Sequence, residues 1–346
     1  MELPHCVSNN PRLMAKKITI YDIADRLKLS PSTVSRALAD NPLINIKTKT
    51  RVRMAAEEMG YHNGTRSVSG TKAVVAIVPE IDNSFYSSVL ATIQENLGSD
   101  YLLVVMCSYN SASKEQELVA RLDPAQIRCL IISQSMDTEN SQHLKDAQKR
   151  GVPTILFNRT YYNGGCPKFL IDDYMDSYML TRHLVSTGKK RIAFAAKHYN
   201  CPIYKERIKA YKDVLKQSGL SFNSEHLIYS ELTLEDTHEV ISRFIRMVPR
   251  PDALILPNFV SALQATSLAK INNISVPQDL AIVSFDDDPE CRYSSPSITG
   301  IERPTAEIGE EIAGMVKEIC NGNLPEDGEI RIFKSDLIIR GSSFTY

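Results

Sequence analysis

Residues 18–39, ITIYDIADRLKLSPSTVSRALA, constrain this chain more tightly than any other stretch. The spacing predicts two short amphipathic helices joined by a tight turn. Thr19 is placed to cap a first helix, and Asp22, three residues on, completes a capping-box-like start. Ile20, Ile23, Ala24 and Leu27 recur at i, i+3, i+4 and i+7 and form one apolar face. The turn falls at Lys28-Leu29. Ser30 is an N-cap candidate, and Pro31 stands at the first helical position, where no backbone N–H is needed. Val34, Ala37 and Leu38 share the inner face of the second helix, which turns Ser32, Thr33, Ser35 and Arg36 outward. Hydroxyls and a guanidinium on the outer face of a helix suit phosphate and base-edge contacts in a major groove. An ordinary helical hairpin with a solvated face has the same periodicity, and periodicity alone leaves the two readings level.

Charge bears on the choice, although a run of basic residues is also common on a solvated helix. Residues 14–72 hold eleven Lys and Arg against five Asp and Glu, a net of +6. Glu2 and Arg12 cancel, so the −1 of the whole chain leaves −7 on residues 73–346. A basic end on an acidic body is the electrostatic footprint of a nucleic-acid-binding module.

At 346 residues the chain is expected to form two or three domains. With 43% apolar and 23% charged residues it reads as a soluble globular protein. No run approaches the roughly 18 apolar residues of a membrane span. No apolar stretch of signal-peptide length opens the chain, so a cytoplasmic location is expected. Residues 1–15 read as a disordered or mis-called extension, with Met14-Ala15-Lys16-Lys17 as a natural start. The seven cysteines, at 6, 107, 129, 166, 201, 291 and 320, include no CxxC pair. The histidines are dispersed, and no GxGxxG or GxxxxGK[ST] occurs. A disulfide framework, a metal site and a nucleotide-phosphate cradle are all unsupported. No cofactor and no catalytic residues are assigned.

After Tyr61 the helical periodicity stops, and residues 62–72, HNGTRSVSGTK, read as a linker. From residue 73 short apolar runs alternate with amphipathic segments. The expected strands are 73–78, 102–106, 129–133, 154–157, 191–195, 253–256 and 280–284. Continuous apolar runs separated by helices indicate parallel strands buried on both faces. The expected architecture is α/β, a helix-turn-helix headpiece followed by a two-lobed, doubly wound parallel-sheet domain over 73–346. The first lobe is expected over about 73–160 and the second over about 162–289. A strand near 337–340 returns to the second lobe and a helix near 305–319 to the first.

TIYDIA followed by SPSTVSRAL, and then INIKTKTRVRMAAEEMGY at 44–61, resembles the headpiece of the lac repressor/galactose repressor family of bacterial transcription regulators. VPEIDNSFYSSV, DVLKQSGL, SVPQDLAIVSFDDDP and SSPSITGIERPTAEIG resemble that family's effector domain, which is similar to periplasmic sugar-binding proteins. The resemblance spans residues 16–343. It implies a headpiece over 16–61 that contacts DNA through Thr19, Ser30, Pro31, Ser32, Thr33, Ser35 and Arg36. Asn45, Lys47 and Thr48 at the third helix would add to these, and Arg66 and Val68 would serve the hinge at 62–72. It also implies a homodimer on a near-palindromic operator, and a small effector held between the lobes, most simply a sugar or sugar derivative.

Effector residues are sought at the carboxyl ends of strands, where open α/β sheets bind ligands. Phe85 and Tyr86 follow the first strand, to stack on a sugar ring or simply to pack the next helix. Asn158 occupies a family position that is usually aspartate. Arg207 matches an effector-clamping arginine, with a solvated helix arginine as its alternative. Asn258 and Asp286 match family ligand contacts, and a carboxylate accepts sugar hydroxyls well. Asp286-Asp287-Asp288 also fits a helix-capping loop.

Three departures stand out. Phe259 replaces a usual aspartate. Pro31 and Ser32 fall at base-reading positions that vary among members. The linker is about three residues short and lacks the family's wedge leucine, with Val68 flanked by Gly64 and Gly70, each weakening a helix by about 1 kcal/mol. An enzyme acting on a sugar or nucleotide, or a periplasmic-type binding protein, is the alternative. The first lacks a catalytic constellation, and the second leaves the headpiece unexplained.

Overall fold

The computed structural model describes residues 18–38, 41, 43–59, 72–197, 201–231, 233–323 and 328–344. The chain divides into two compact units at the junction of Thr71 and Lys72.

The N-terminal unit contains three helices, α1 (Ile20–Leu27), α2 (Pro31–Leu38) and α3 (Ile46–Glu58). Thr19 caps α1 in a full capping box, its own N–H donating to Asp22 Oδ2 at 2.7 Å. Lys28 ends the helix in the left-handed conformation at φ 57°. The Ser30 hydroxyl accepts the Thr33 N–H at 3.1 Å and starts α2, with Pro31 as its first residue. Asn45 does the same for α3 through the Thr48 N–H at 2.8 Å. Ile23, Ala24, Val34, Ala37, Val52, Ala55 and Ala56 form the core. Four of these are alanines, so the three helices pack closely.

The larger unit holds two six-stranded sheets. The first lobe begins with β1 (Lys72–Val78), α4 (Ser84–Leu97), β2 (Tyr101–Cys107), α5 (Ala112–Ala120) and β3 (Ile127–Ile132). It continues with α6 (Gln142–Lys149), β4 (Thr154–Phe157) and β5 (Lys168–Ile171). The second lobe runs through α7 (Asp173–Ser186), β6 (Ile192–Lys197), α8 (Pro202–Gln217), β7 (Leu227–Ser230) and α9 (Leu234–Arg246). It goes on with β8 (Ala253–Leu256), α10 (Phe259–Ile271), β9 (Ala281–Ser284) and β10 (Thr299–Glu302). The chain then returns through α11 (Thr305–Cys320) and β11 (Ile330–Phe333) to the first lobe, and ends in the second with β12 (Asp336–Ile338).

The sheet orders are β2-β1-β3-β4-β5-β11 and β7-β6-β8-β9-β10-β12. The pairings are parallel except that β12 runs antiparallel to β10. In register, Val75 faces Val104 on one side and Leu130 on the other. Such strands are buried on both faces, as continuous apolar runs demand. Helices α4 and α11 cover one face of the first sheet, and α5 and α6 the other. Helices α9 and α10, and α7 and α8, do the same for the second. A Cβ at Gly309 would lie 2.6 Å from Thr92, so α11 seats on α4 only because that position is glycine.

Every expected strand is present, and the expected α11 returns to the first lobe. The lobe boundary is corrected. The first lobe does not stop near residue 160 but runs on through β5, and it takes back β11 near the C-terminal end. Both are four-residue strands, β11 at the sheet edge and β5 beside it, and in each a basic residue cuts the apolar run short. The lobes are therefore joined by three crossings: at Asp172, at Arg303-Pro304, and at Lys334-Ser335. The first and third lie side by side, with the Asp172 N–H donating to the Phe333 carbonyl at 3.1 Å.

Candidate nucleic-acid interface and inter-lobe cleft

On α2, Ser32, Ser35 and Arg36 are exposed, as the periodicity indicated. Thr33 is half-buried, and its hydroxyl turns back to Ser30 Oγ at 2.7 Å. Ser30 also meets Ser32 Oγ at 2.9 Å, so Ser30, Thr33 and Thr19 are engaged in starting their helices. Pro31 is half-buried. Lys47 is exposed and Thr48 half-buried on the first turn of α3, which Asn45 caps. Arg51 extends the exposed basic surface by one turn. Arg66 and Val68, like residues 1–15, lie outside the described residues.

In the larger unit Phe85, Tyr86, Asn158, Asn258 and Asp286 follow the carboxyl ends of β1, β4, β8 and β9, while Arg207 lies within α8. They form two connected groups. In the first lobe Asn158 ends β4 in the left-handed conformation, at φ 58°, a turn asparagine tolerates. Its amide donates to the Tyr86 hydroxyl at 2.9 Å, and that hydroxyl meets Ser133 Oγ at 3.1 Å. Arg159 follows, its guanidinium donating to Asn110 Oδ1 at 2.5 Å and lying 5.8 Å from the Tyr86 ring centre. Both Phe85 and Tyr86 are buried in the core under α4. The packing alternative thus describes Tyr86, and Phe85 alone of the two also lines a cavity.

The second group sits where the lobes cross. Asp286, after β9, is paired with Arg303, which follows β10. Arg303 lies 4.5 Å over the Phe85 ring. Burial, with Arg207 nearby, depresses the Arg303 pKa to about 10. Phe85, Asp286 and Arg303 line a cavity of about 190 Å³. A Cβ at Gly300 would fall 2.4 Å from the Asp286 carbonyl, so glycine in β10 lets that strand close on the Asp286 loop. A neighbouring cavity of about 250 Å³ is lined by Glu80, Asn83 and Ser84 of the first lobe and Asn258, Asp286 and Asp288 of the second. The Ser84 hydroxyl donates to Asp288 across it. Burial raises the Asp288 pKa.

Arg207 is not a solvated helix arginine. It is 6% exposed, holds Asp173 at 2.8 Å, and lies 3.9 Å over the Phe285 ring. Burial opposes its charge, but Asp173, Tyr204 and Asp176 outweigh that and raise its pKa. Asn258 caps α10, its Oδ1 accepting the Ser261 N–H at 2.8 Å. Phe259 packs into the core beneath α10. Asp287 is held by Arg340, one contact at 2.8 Å, so the aspartate triple splits among three partners, Arg303, Arg340 and Ser84. It does not serve as a helix cap.

Arg303, Asp173 and Asp176 were not among the expected site residues. Arg303 follows β10 at its carboxyl end, but β10 was not among the expected strands, so the strand-end rule did not reach it. Asp173 and Asp176 are read by no strand-end rule; they open a helix, where acidic residues are common for the helix dipole alone.

Residues 19–63 match the family model described as bacterial regulatory proteins, lacI family, and residues 181–343 match that of the periplasmic binding protein-like domain. The two together cover more than half of the chain. The chain is 27% identical over 333 residues to the HTH-type transcriptional repressor CytR of Escherichia coli (strain K12), covering 94% of this chain and 96% of that protein. It is 26% identical over 310 residues to catabolite control protein A of Priestia megaterium, covering 88% and 93%. Among solved structures, the transcriptional regulator CelR–cellobiose complex superposes with a TM-score of 0.68 at 21% identity, covering 94% of this chain and 99% of that one. The lac repressor dimer bound to operator and the anti-inducer ONPF superposes at 0.70 with 17% identity, covering 95% and 100%. These structural likenesses establish the fold. With a helix-turn-helix headpiece ahead of a two-lobed periplasmic-binding-protein-like body, the chain belongs to the lacI family of DNA-binding transcriptional regulators.

Proposed function

We propose that this regulator represses transcription from a near-palindromic operator as a cytoplasmic homodimer, and that a small effector bound between its lobes sets its operator affinity. The carrying observation is that residues from both lobes, Phe85 and Ser84 on one side and Asn258, Asp286 and Asp288 on the other, line adjoining cavities. A ligand there contacts both lobes at once, so it binds two lobe arrangements unequally and shifts their populations. The proposed effector class is a sugar or sugar derivative. Asp286 and Asn258 offer acceptors for hydroxyls, and the solved relative that holds cellobiose supports the class. Asp286, Arg207, Asn158, Asn258, Phe85 and Tyr86 are the proposed effector residues. Tyr86 and Asn158 act by shaping the first-lobe wall.

In the headpiece, Arg36 is the proposed base reader, with Ser32 and Ser35 beside it. Lys47 and Thr48 at α3 take phosphates, while Thr19, Ser30, Thr33 and Asn45 hold the helix ends that present these groups. Pro31 fixes the start of the reading helix. Arg66 and Val68 are proposed to serve a weak hinge.

A thermal-shift screen against sugars and metabolites, followed by operator gel shifts with each hit, tests the reading. The expected result is a hit that both raises the melting temperature and changes operator affinity. Asp286→Ala should abolish both effects at a cost of about 1–3 kcal/mol in ligand binding. Hits that survive Asp286→Ala and Arg207→Ala unchanged would move the site out of the cleft.

A further inference from the structure

Asp176 is a buried acid at the lobe junction with no hydrogen-bonded cation among the described residues. It lies on the first turn of α7, is 1% exposed, and its Oδ1 has no hydrogen-bond partner. Its other oxygen accepts only the Ser335 hydroxyl, at 3.3 Å, from the third crossing. The charged groups acting on it come from each element around it. Asp173 on its own helix repels its charge, while Arg207 from α8 and Arg303 from the second crossing favour it. Both guanidiniums are engaged elsewhere, Arg207 by Asp173 and Arg303 by Asp286. A buried carboxylate in this setting is best left neutral. Burial and Asp173 accordingly push its pKa up to about 7.

We propose that Arg303 is shared between Asp286 in the cleft and Asp176 at the lobe crossings, so that a ligand engaging Asp286 releases the guanidinium to Asp176, which gives up its proton. Arg303 is the positioning residue of this exchange. It stands on a crossing, so a change of partner moves the segment that joins the lobes. Asp176 is the other end of the exchange, bonded to Ser335 at the third crossing. The ligand clause rests on the cleft reading above; the exchange itself is tested without a ligand.

The sign is fixed by the raised pKa. Between about pH 4 and 7 the folded chain holds a proton on Asp176 that the unfolded chain has lost, so stability falls as pH rises through that window and levels off above it. Melting temperatures of the full chain are measured from pH 5 to 8.5 for wild type, Asp176→Asn and Asp286→Asn. Relative to Asp176→Asn, wild type should lose on the order of 5 °C across this range. Asp286→Asn frees Arg303 for Asp176, so the same decline should move to lower pH. Parallel wild-type and Asp176→Asn curves would overturn the proposal, because Asp176 would then not titrate. A decline left in place by Asp286→Asn would overturn the sharing of Arg303. An effector screen without hits would defeat the cleft reading and leave these curves as they are.

Discussion

In the headpiece, Arg26 meets Glu58 at 2.5 Å with both side chains about half exposed, and Lys28 meets Asp25 with both more than four-fifths exposed. In the body, Arg207 holds Asp173 with 7% and 11% of the side chains exposed, and Arg340 holds Asp287 with 11% and 1%. The chemistry is the same and the solvent is not. An exposed pair gains little over its hydrated partners and is screened by salt. A buried pair gains little over an apolar replacement either, but losing one member strands a charge in a medium that cannot solvate it. The headpiece therefore keeps its charges available for a polyanion, whereas the body fixes its charges to one another across segments far apart in sequence.

The sharpest way to break this contrast is at Arg340. Its guanidinium donates to both oxygens of Asp287 and to the Ile298 carbonyl. Arg340→Ala leaves Asp287 buried and unpaired, and should destabilise the body by about 3–5 kcal/mol. Urea unfolding measures it. The double variant Arg340→Met, Asp287→Leu should recover most of that loss. A single-variant cost under about 1 kcal/mol would place this pair with the surface pairs of the headpiece.

The same contrast explains what could be read from the sequence. The headpiece was legible almost residue by residue, because its determinants are local: the Thr19–Asp22 box, the Ser30 cap with Pro31, and a 3.6-residue apolar period. The longer apolar strands were legible because each carries a continuous apolar run of about four residues or more. The four-residue strands β5, β7, β10 and β11 were not, because Lys168, Ser230, Gly300 and Arg331 interrupt or shorten their apolar runs. At the cleft, the rule of strand carboxyl ends found Asp286 and Asn258. It could not find their partners, because Arg303 lies 17 residues from Asp286 and Asp173 lies 34 from Arg207. No local pattern records which acid meets which base.

A second test concerns what an exposed cation does. Arg36 stands exposed on the outer face of α2. A bidentate arginine–guanine contact is worth about 1–3 kcal/mol of discrimination. Arg36→Ala should weaken operator binding by that amount and relax preference at one base pair per half-site. Lys47→Ala should instead weaken all sequences alike and flatten the salt dependence. Binding measured on an operator library at two salt concentrations separates the two, and an unchanged preference at every position would remove Arg36 as the reader.

Local backbone chemistry should matter more to the headpiece than its ion pairs do. Thr19→Ala removes one half of the capping box and should cost about 1 kcal/mol of headpiece stability. Amide exchange along α1 reports it, with the first turn opening most. A loss no larger than that from breaking Arg26–Glu58 would erase the distinction between capping and surface charge.

Glu58→Gln sets the lower end of the scale. It removes the charge from the Arg26–Glu58 contact, the only ion pair in the headpiece that joins α1 to α3 among the described residues. The two residues are 32 apart in sequence, so the pair closes the three-helix unit as the buried pairs close the body. If tertiary reach were what gave an ion pair its weight, this substitution would cost as much as Arg340→Ala. If exposure decides, it should cost between about 0.2 and 1 kcal/mol, and most of that should disappear on raising salt from 0.05 to about 1 M. Thermal unfolding of the headpiece transition at both salt concentrations distinguishes these. The loss of an acidic charge from a basic module should also raise affinity for DNA slightly and without regard to sequence, so a non-specific duplex serves as the control.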